Sequence, residues 1–141
     1  MTSLPFQVIH HMFMQIMTDQ SETMSQLLDG GVRVLVYHGM MDMLLPVHGV
    51  ADTLAGLNWT GSEAWASHGH KKPYWSEGVE GQRASELMGY VQSAANLTFV
   101  TVRNAGHMVP IDQPNWCAKI VADFVWDKLV LNLGKGEIHL P

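Results

Sequence analysis

The run "VRVLVY", Val32 to Tyr37, constrains the fold more than any other stretch. Six residues rich in β-branched and apolar side chains, bounded by Asp29-Gly30-Gly31 and His38-Gly39, read as a short strand buried on both faces. Such strands belong to sheets covered by helices on each side. The flanks agree. Residues 7 to 28 place Ile, Met and Leu at helical spacing, and Asp29-Gly30-Gly31 ends that helix. Beyond the strand, His38 to Asp42 form a loop. Residues 47 to 57, "VHGVADTLAGL", then turn helical, with Val47, Val50, Leu54 and Leu57 on one side.

The middle, Asn58 to Arg83, is rich in Gly, Ser, Trp and charge, and reads as a surface loop with a short strand around Tyr74-Trp75. "ELMGYVQSA" and "LTFVTV" follow as two neighbouring strands linked through Ala94-Ala95-Asn96. After the loop Asn104–His107 comes a last helix. Asp112 caps it, Pro114 fits its first turn, and Trp116, Cys117, Ile120, Val121, Phe124 and Val125 form one apolar stripe. The tail "NLGKGEIHLP" frays. Helix, buried strand, loop, helix, two strands, loop, helix is an α/β order, but it makes only part of a sheet. One buried strand with a pair beside it leaves open edges and apolar faces. The expectation is a single partial domain over residues 1–141, the C-terminal part of something larger, with residues 1–16 a divergent N-terminal segment.

Composition narrows the function classes. The net charge is -5, only 15% of the residues are charged, and there is no basic run, so nucleic acid is not an expected partner. No apolar run approaches a membrane span. "MTSLPFQVIHHMFMQIM" lacks the basic start and small-residue cleavage site of a signal peptide. Two sequons, Asn58-Trp59-Thr60 and Asn96-Leu97-Thr98, tilt the reading towards a secreted or lysosomal protein. The one cysteine, Cys117, is a buried thiol or half of a bridge to a partner.

In open α/β sheets the functional groups lie just past the carboxyl ends of strands. Asp42 lies past "VRVLVY" and His107 past "LTFVTV". An Asp preceding a His, each on a post-strand loop, is the second half of a Ser–Asp–His order. A serine hydroxyl is a weak nucleophile until a neutral imidazole takes its proton. A buried carboxylate on the other ring nitrogen holds the tautomer and stabilises the imidazolium. Gly106 allows the sharp turn that would bring the ring over the sheet edge. By spacing alone, Asp42 is equally a loop residue and His107 a hydrogen-bonded turn residue.

The wording goes further than the spacing. "VRVLVYHGMMDML" resembles the strand-and-aspartate motif of the serine carboxypeptidases, and "NLTFVTVRNAGHMVPIDQP" resembles their histidine motif. "LNWTGSEAW", Tyr74-Trp75 and "LMGYVQSAANLTF" match in style, so the resemblance covers residues 17 to 127. "LAGLNWTGSEAW" is most similar to the vitellogenic-like carboxypeptidases. The resemblance implies the C-terminal portion of an α/β-hydrolase fold in a serine-type carboxypeptidase that needs no cofactor. It implies Asp42 and His107 as the catalytic aspartate and histidine, and Met108 as a wall of the pocket for the departing C-terminal residue, where ordinary core is the alternative. The implied partners are peptide or protein C-termini and an upstream segment or chain carrying the serine. His38 stands in place of the asparagine usual before the Gly of the aspartate loop, and no Gly-x-Ser-x-Gly elbow occurs in the chain. The chain alone is therefore expected to be inactive. The alternatives are a non-catalytic fragment that folds against a partner and, less favoured, another α/β hydrolase such as an esterase or lipase.

Other residues have milder readings. His68-Gly69-His70 lacks a third ligand at metal-binding spacing and reads as a solvated loop. His10, His11 and His139 read as surface or tail. His48 opens a helix, and Asp52 lies on a solvated face. Trp59, Trp65 and Trp75 read as packing ahead of cleft lining.

Overall fold

A computed structural model describes residues 18–68, 71–76 and 86–129. In chain order the elements are α1 (Ser21–Asp29), β1 (Val34–Gly39), α2 (Val47–Ala55), α3 (Ser62–His68), β2 (Lys72–Trp75), β3 (Leu87–Ala94), β4 (Leu97–Val102), α4 (Val109–Asp112) and α5 (Pro114–Val125). The expected start of the first helix, residues 1–16, His10, His11, His70, His139 and the tail lie outside the described residues.

The strands form one mixed sheet in the order β1-β4-β3-β2. β1 runs parallel to β4, pairing Val34 with Leu97 through Gly39 with Val102. β3 is antiparallel to both β4 and β2. The β3–β4 hairpin turns at Ala95, at φ 47°, and Asn96, as the Ala-Ala-Asn link suggested.

The doubly buried strand is not the one expected. All six residues of β4 are buried, whereas β1 is mostly half-buried with Tyr37 exposed. β1 stands at the edge of the described sheet, so only one of its sides is hydrogen-bonded to a neighbouring strand. It also begins at Val34, two residues later than the apolar run suggested, and takes in His38 and Gly39.

β4 divides its side chains between two cores, as alternation requires. Leu97 and Phe99 pack with Leu28 of α1, Leu54 and Leu57 from α2 and its C-terminal end, and Trp59 and Trp65. Val100 and Val102 face the other way, onto Tyr74, Met88, Val91, Val109, Cys117 and Ile120. The sheet is therefore a filling between α1–α3 and α5, an α/β layering.

Three local readings need correction. The stretch expected as surface loop contains α3; at seven residues it is too short to display much periodicity, and Trp65 anchors it in the core. Asp112 does not cap α5. It ends α4, and its carboxylate instead accepts the Gly106 N–H at 2.7 Å. In α5 only part of the expected stripe is inside. Cys117 and Ile120 are buried, while Val121 and Val125 are exposed. Asp123 takes a buried place between them in sequence because two donors meet it there: the Tyr74 hydroxyl at 2.5 Å and Lys119 Nζ at 2.8 Å.

Candidate active site

The site forms where β1 and β4 end side by side. Their loops stay joined beyond the last strand pair. The Met40 N–H donates to the Val102 carbonyl at 2.8 Å and the Met41 N–H to the Ala105 carbonyl at 2.9 Å. Gly39 makes this approach possible. A Cβ there would lie 2.1 Å from the Gly106 oxygen and 2.4 Å from the Ala105 oxygen, inside the neighbouring backbone. The residue that turns sharply in the second loop is Asn104, at φ 53°, a conformation asparagine tolerates better than most side chains. Gly106 takes no positive φ among the described residues, so the turn expected from it belongs two residues earlier.

These contacts bring Asp42 and His107 together across 65 residues of sequence. His107 Nδ1 is 2.9 Å from Asp42 Oδ2. The other carboxylate oxygen, Oδ1, accepts the Leu44 N–H at 2.8 Å and the Leu45 N–H at 3.0 Å. The Asp42 side chain is 1% exposed and the His107 side chain 47%. A buried acid thus anchors a ring whose far side faces outward. The bond to a carboxylate makes Nδ1 the protonated nitrogen of the neutral ring and leaves Nε2 with a free lone pair.

The acid is held as an anion. The Leu45 N–H lowers its pKa most, burial opposes this, and the His107 hydrogen bond, the Leu44 N–H and the His107 charge lower it further, from 3.8 to about 2. His38 joins the same group. Its Nε2 lies 2.7 Å from the Leu45 carbonyl oxygen and 3.3 Å from Asp42 Oδ2, with the side chain 12% exposed. In the sequence His38 stands out only as a departure from the family's asparagine. Its partner seven residues on depends on how the loop closes, which no spacing reveals.

Around the pair lies exposed apolar surface. Met43 is 96% exposed, and Met40, Met41, Leu44, Leu45, Met108 and Ile111 are also exposed. Met108, next to His107 in the chain, is 53% exposed. His48 and Asp52 are exposed on α2. Trp59 and Trp65 are buried packing residues, whereas Trp75 is exposed. Cys117 is a buried free thiol. Asn58 is exposed; Asn96 is half-buried, donates its amide to the Leu28 carbonyl at 3.1 Å, and is followed in its sequon by the buried Thr98. Among the described residues, no three His, Cys, Asp or Glu side chains are grouped to hold a metal ion. No helix there is long and apolar enough to cross a membrane.

The sequence model of the serine carboxypeptidases matches residues 4–127. The chain belongs to the serine carboxypeptidase family. Among similar proteins, the pheromone-processing carboxypeptidase KEX1 of Phytophthora infestans is 38% identical over 104 residues, covering 74% of this chain and 16% of the relative. The venom serine carboxypeptidase of Apis mellifera is 38% identical over 96 residues, 68% of this chain and 19% of the relative. The crystal structure of KEX1(Δ)p, a prohormone-processing carboxypeptidase from Saccharomyces cerevisiae, superposes with a TM-score of 0.70 at 29% identity. It covers 79% of this chain and 23% of that one. The fold of this serine carboxypeptidase chain is accordingly part of an α/β hydrolase, and the chain spans less than a quarter of the length of these relatives.

Proposed function

We propose that this chain contributes the acid and the base of a serine-type carboxypeptidase, with Asp42 and His107 completing a triad whose serine lies on a segment outside this chain. The observation that carries the reading is the hydrogen bond of 2.9 Å from a buried, hydrogen-bonded carboxylate to Nδ1 of a half-exposed histidine. In that arrangement His107 Nε2 takes the proton of the attacking hydroxyl. The imidazolium then protonates the departing amine, leaving an acyl-enzyme. In the second half His107 takes a proton from water, which attacks the acyl carbon, and the proton passes back to the serine oxygen as it leaves. Asp42 stays ionised throughout, in keeping with its lowered pKa.

The substrates in this reading are peptide or protein C-termini, and Met108, exposed beside His107, borders the pocket for the departing residue. A flexible thioether suits a pocket that accepts several side chains. "LAGLNWTGSEAW" supports placing the protein nearest the vitellogenic-like carboxypeptidases, and the two sequons support a secreted or lysosomal setting.

The test combines the purified chain with a family segment carrying a Gly-x-Ser-x-Gly elbow and assays blocked dipeptides. The expected outcome is no turnover by the chain alone, and restored turnover in the mixture that a serine-directed phosphonate abolishes. Tight association without turnover would favour a non-catalytic partner module. Activity on acyl esters but not on blocked dipeptides would favour an esterase.

A further inference from the structure

A second imidazole touches the same carboxylate. We infer that His38 is a positioning residue for the proposed acid–base pair: it clamps the loop Met40–Leu45 so that Asp42 presents Oδ2 to His107. The inference rests on the Asp42–His107 reading only for its catalytic meaning; the clamp itself is a matter of geometry.

His38 Nε2 faces two acceptors, the Leu45 carbonyl oxygen at 2.7 Å and Asp42 Oδ2 at 3.3 Å. A ring nitrogen between two acceptors carries its proton, so Nε2–H donates to the Leu45 carbonyl, and the same N–H dipole points positive charge at the carboxylate. The anchor is firm. His38 sits in β1, paired with Thr101 of β4, and its side chain is largely buried. The far end matters as much. Leu45 returns its own N–H to Asp42 Oδ1 at 3.0 Å. The bond His38–Leu45 therefore closes a loop from the strand to the residue that holds the acid, and fixes the acid from behind. Without it, Leu45 keeps its bond to Asp42 Oδ1 but loses its tie to the strand, and the carboxylate can follow the loop away from His107. Among the described residues, the charged groups meeting this cluster are Asp42 and His107, with Asp112 one step away on the Gly106 N–H.

The experiment reads the low-field proton NMR signal of the hydrogen on His107 Nδ1 in the 141-residue chain, so it needs neither the serine nor turnover. Asp42→Asn sets the reference: it removes the anion that accepts this proton, and the low-field signal is lost. His38→Phe, similar in bulk but with no ring N–H, is expected to weaken the same signal by about half or more. His38→Gln, which keeps a donor of comparable reach, is expected to restore it. Should His38→Phe fail to fold, His38→Ala read in the same way decides. A folded His38→Phe or His38→Ala chain that keeps the parent's His107 signal overturns the positioning role. If Asp42→Asn itself keeps the signal, the acid–base reading fails instead, and the two failures are distinct.

Discussion

The Asp42 carboxylate meets two backbone N–H groups and two imidazoles and is almost wholly buried, so its chemistry is set before any substrate arrives. In a reconstituted enzyme, Asp42→Asn is expected to lower kcat by about 10⁴-fold with little change in KM, because the amide can donate to Nδ1 and so hold His107 in the wrong tautomer. Steady-state kinetics on blocked dipeptides check this. The same residue makes stability depend on acid. Its folded pKa, about 2, lies below the ordinary 3.8. Stabilisation is therefore complete above the unfolded value and is lost as pH falls from about 4 through 2. Melting curves across that window are expected to steepen their decline in the parent chain and to lose that component in Asp42→Asn.

Elements place these residues through a few close approaches. Gly39 lies against the His107 loop with no room for a methyl group. Gly39→Ala is expected to cost about 1–3 kcal/mol of unfolding free energy, since backbone on the far side has to shift. It should also weaken the His107–Asp42 bond, visible as loss of the low-field proton signal of the His107 Nδ1–H. On the far side of the sheet, Tyr74 of β2 donates to the buried Asp123 of α5. Tyr74→Phe removes that donor and leaves Lys119 on the acid, at an expected cost of about 1–2 kcal/mol by denaturant unfolding. A loss of that size with no effect on His107 would separate packing from site. Here the chain's own text explains what could be read in advance. "LTFVTV" and the Ala-Ala-Asn turn were evident because alternation and turn chemistry are local. So were an acid and a histidine on post-strand loops. The helix Ser62–His68 escaped because two turns give little periodicity, and the buried Asp123 because its partners come from β2 and its own helix. The Gly39 approach and the His38 clamp escaped because each depends on which loop lies opposite, and that is decided by strand order.

As a whole the molecule leaves an apolar collar about the acid–base pair, with Met43, Leu44 and Ile111 among its most exposed members, next to an edge strand. Surfaces of this kind associate. The isolated chain is expected to self-associate and to bind a hydrophobic dye, and Met43→Lys with Leu44→Lys is expected to reduce both, as sedimentation and dye fluorescence will show. The α/β layering was readable from the order of elements; which strand is central was not, because β1 and β4 carry similar residues and differ in neighbours.

The parallel seam between β1 and β4 has a consequence in time. Its two strands are separated by the whole of α2, α3, β2 and β3, so their meeting is a contact of long reach, which forms slowly compared with the hairpin β3–β4. His107 finds Asp42 only once that seam has closed in register. During refolding the imidazole resonance of His107 is therefore expected to take its native position after the β3–β4 hairpin has formed, and so to act as a clock for the closing of this seam.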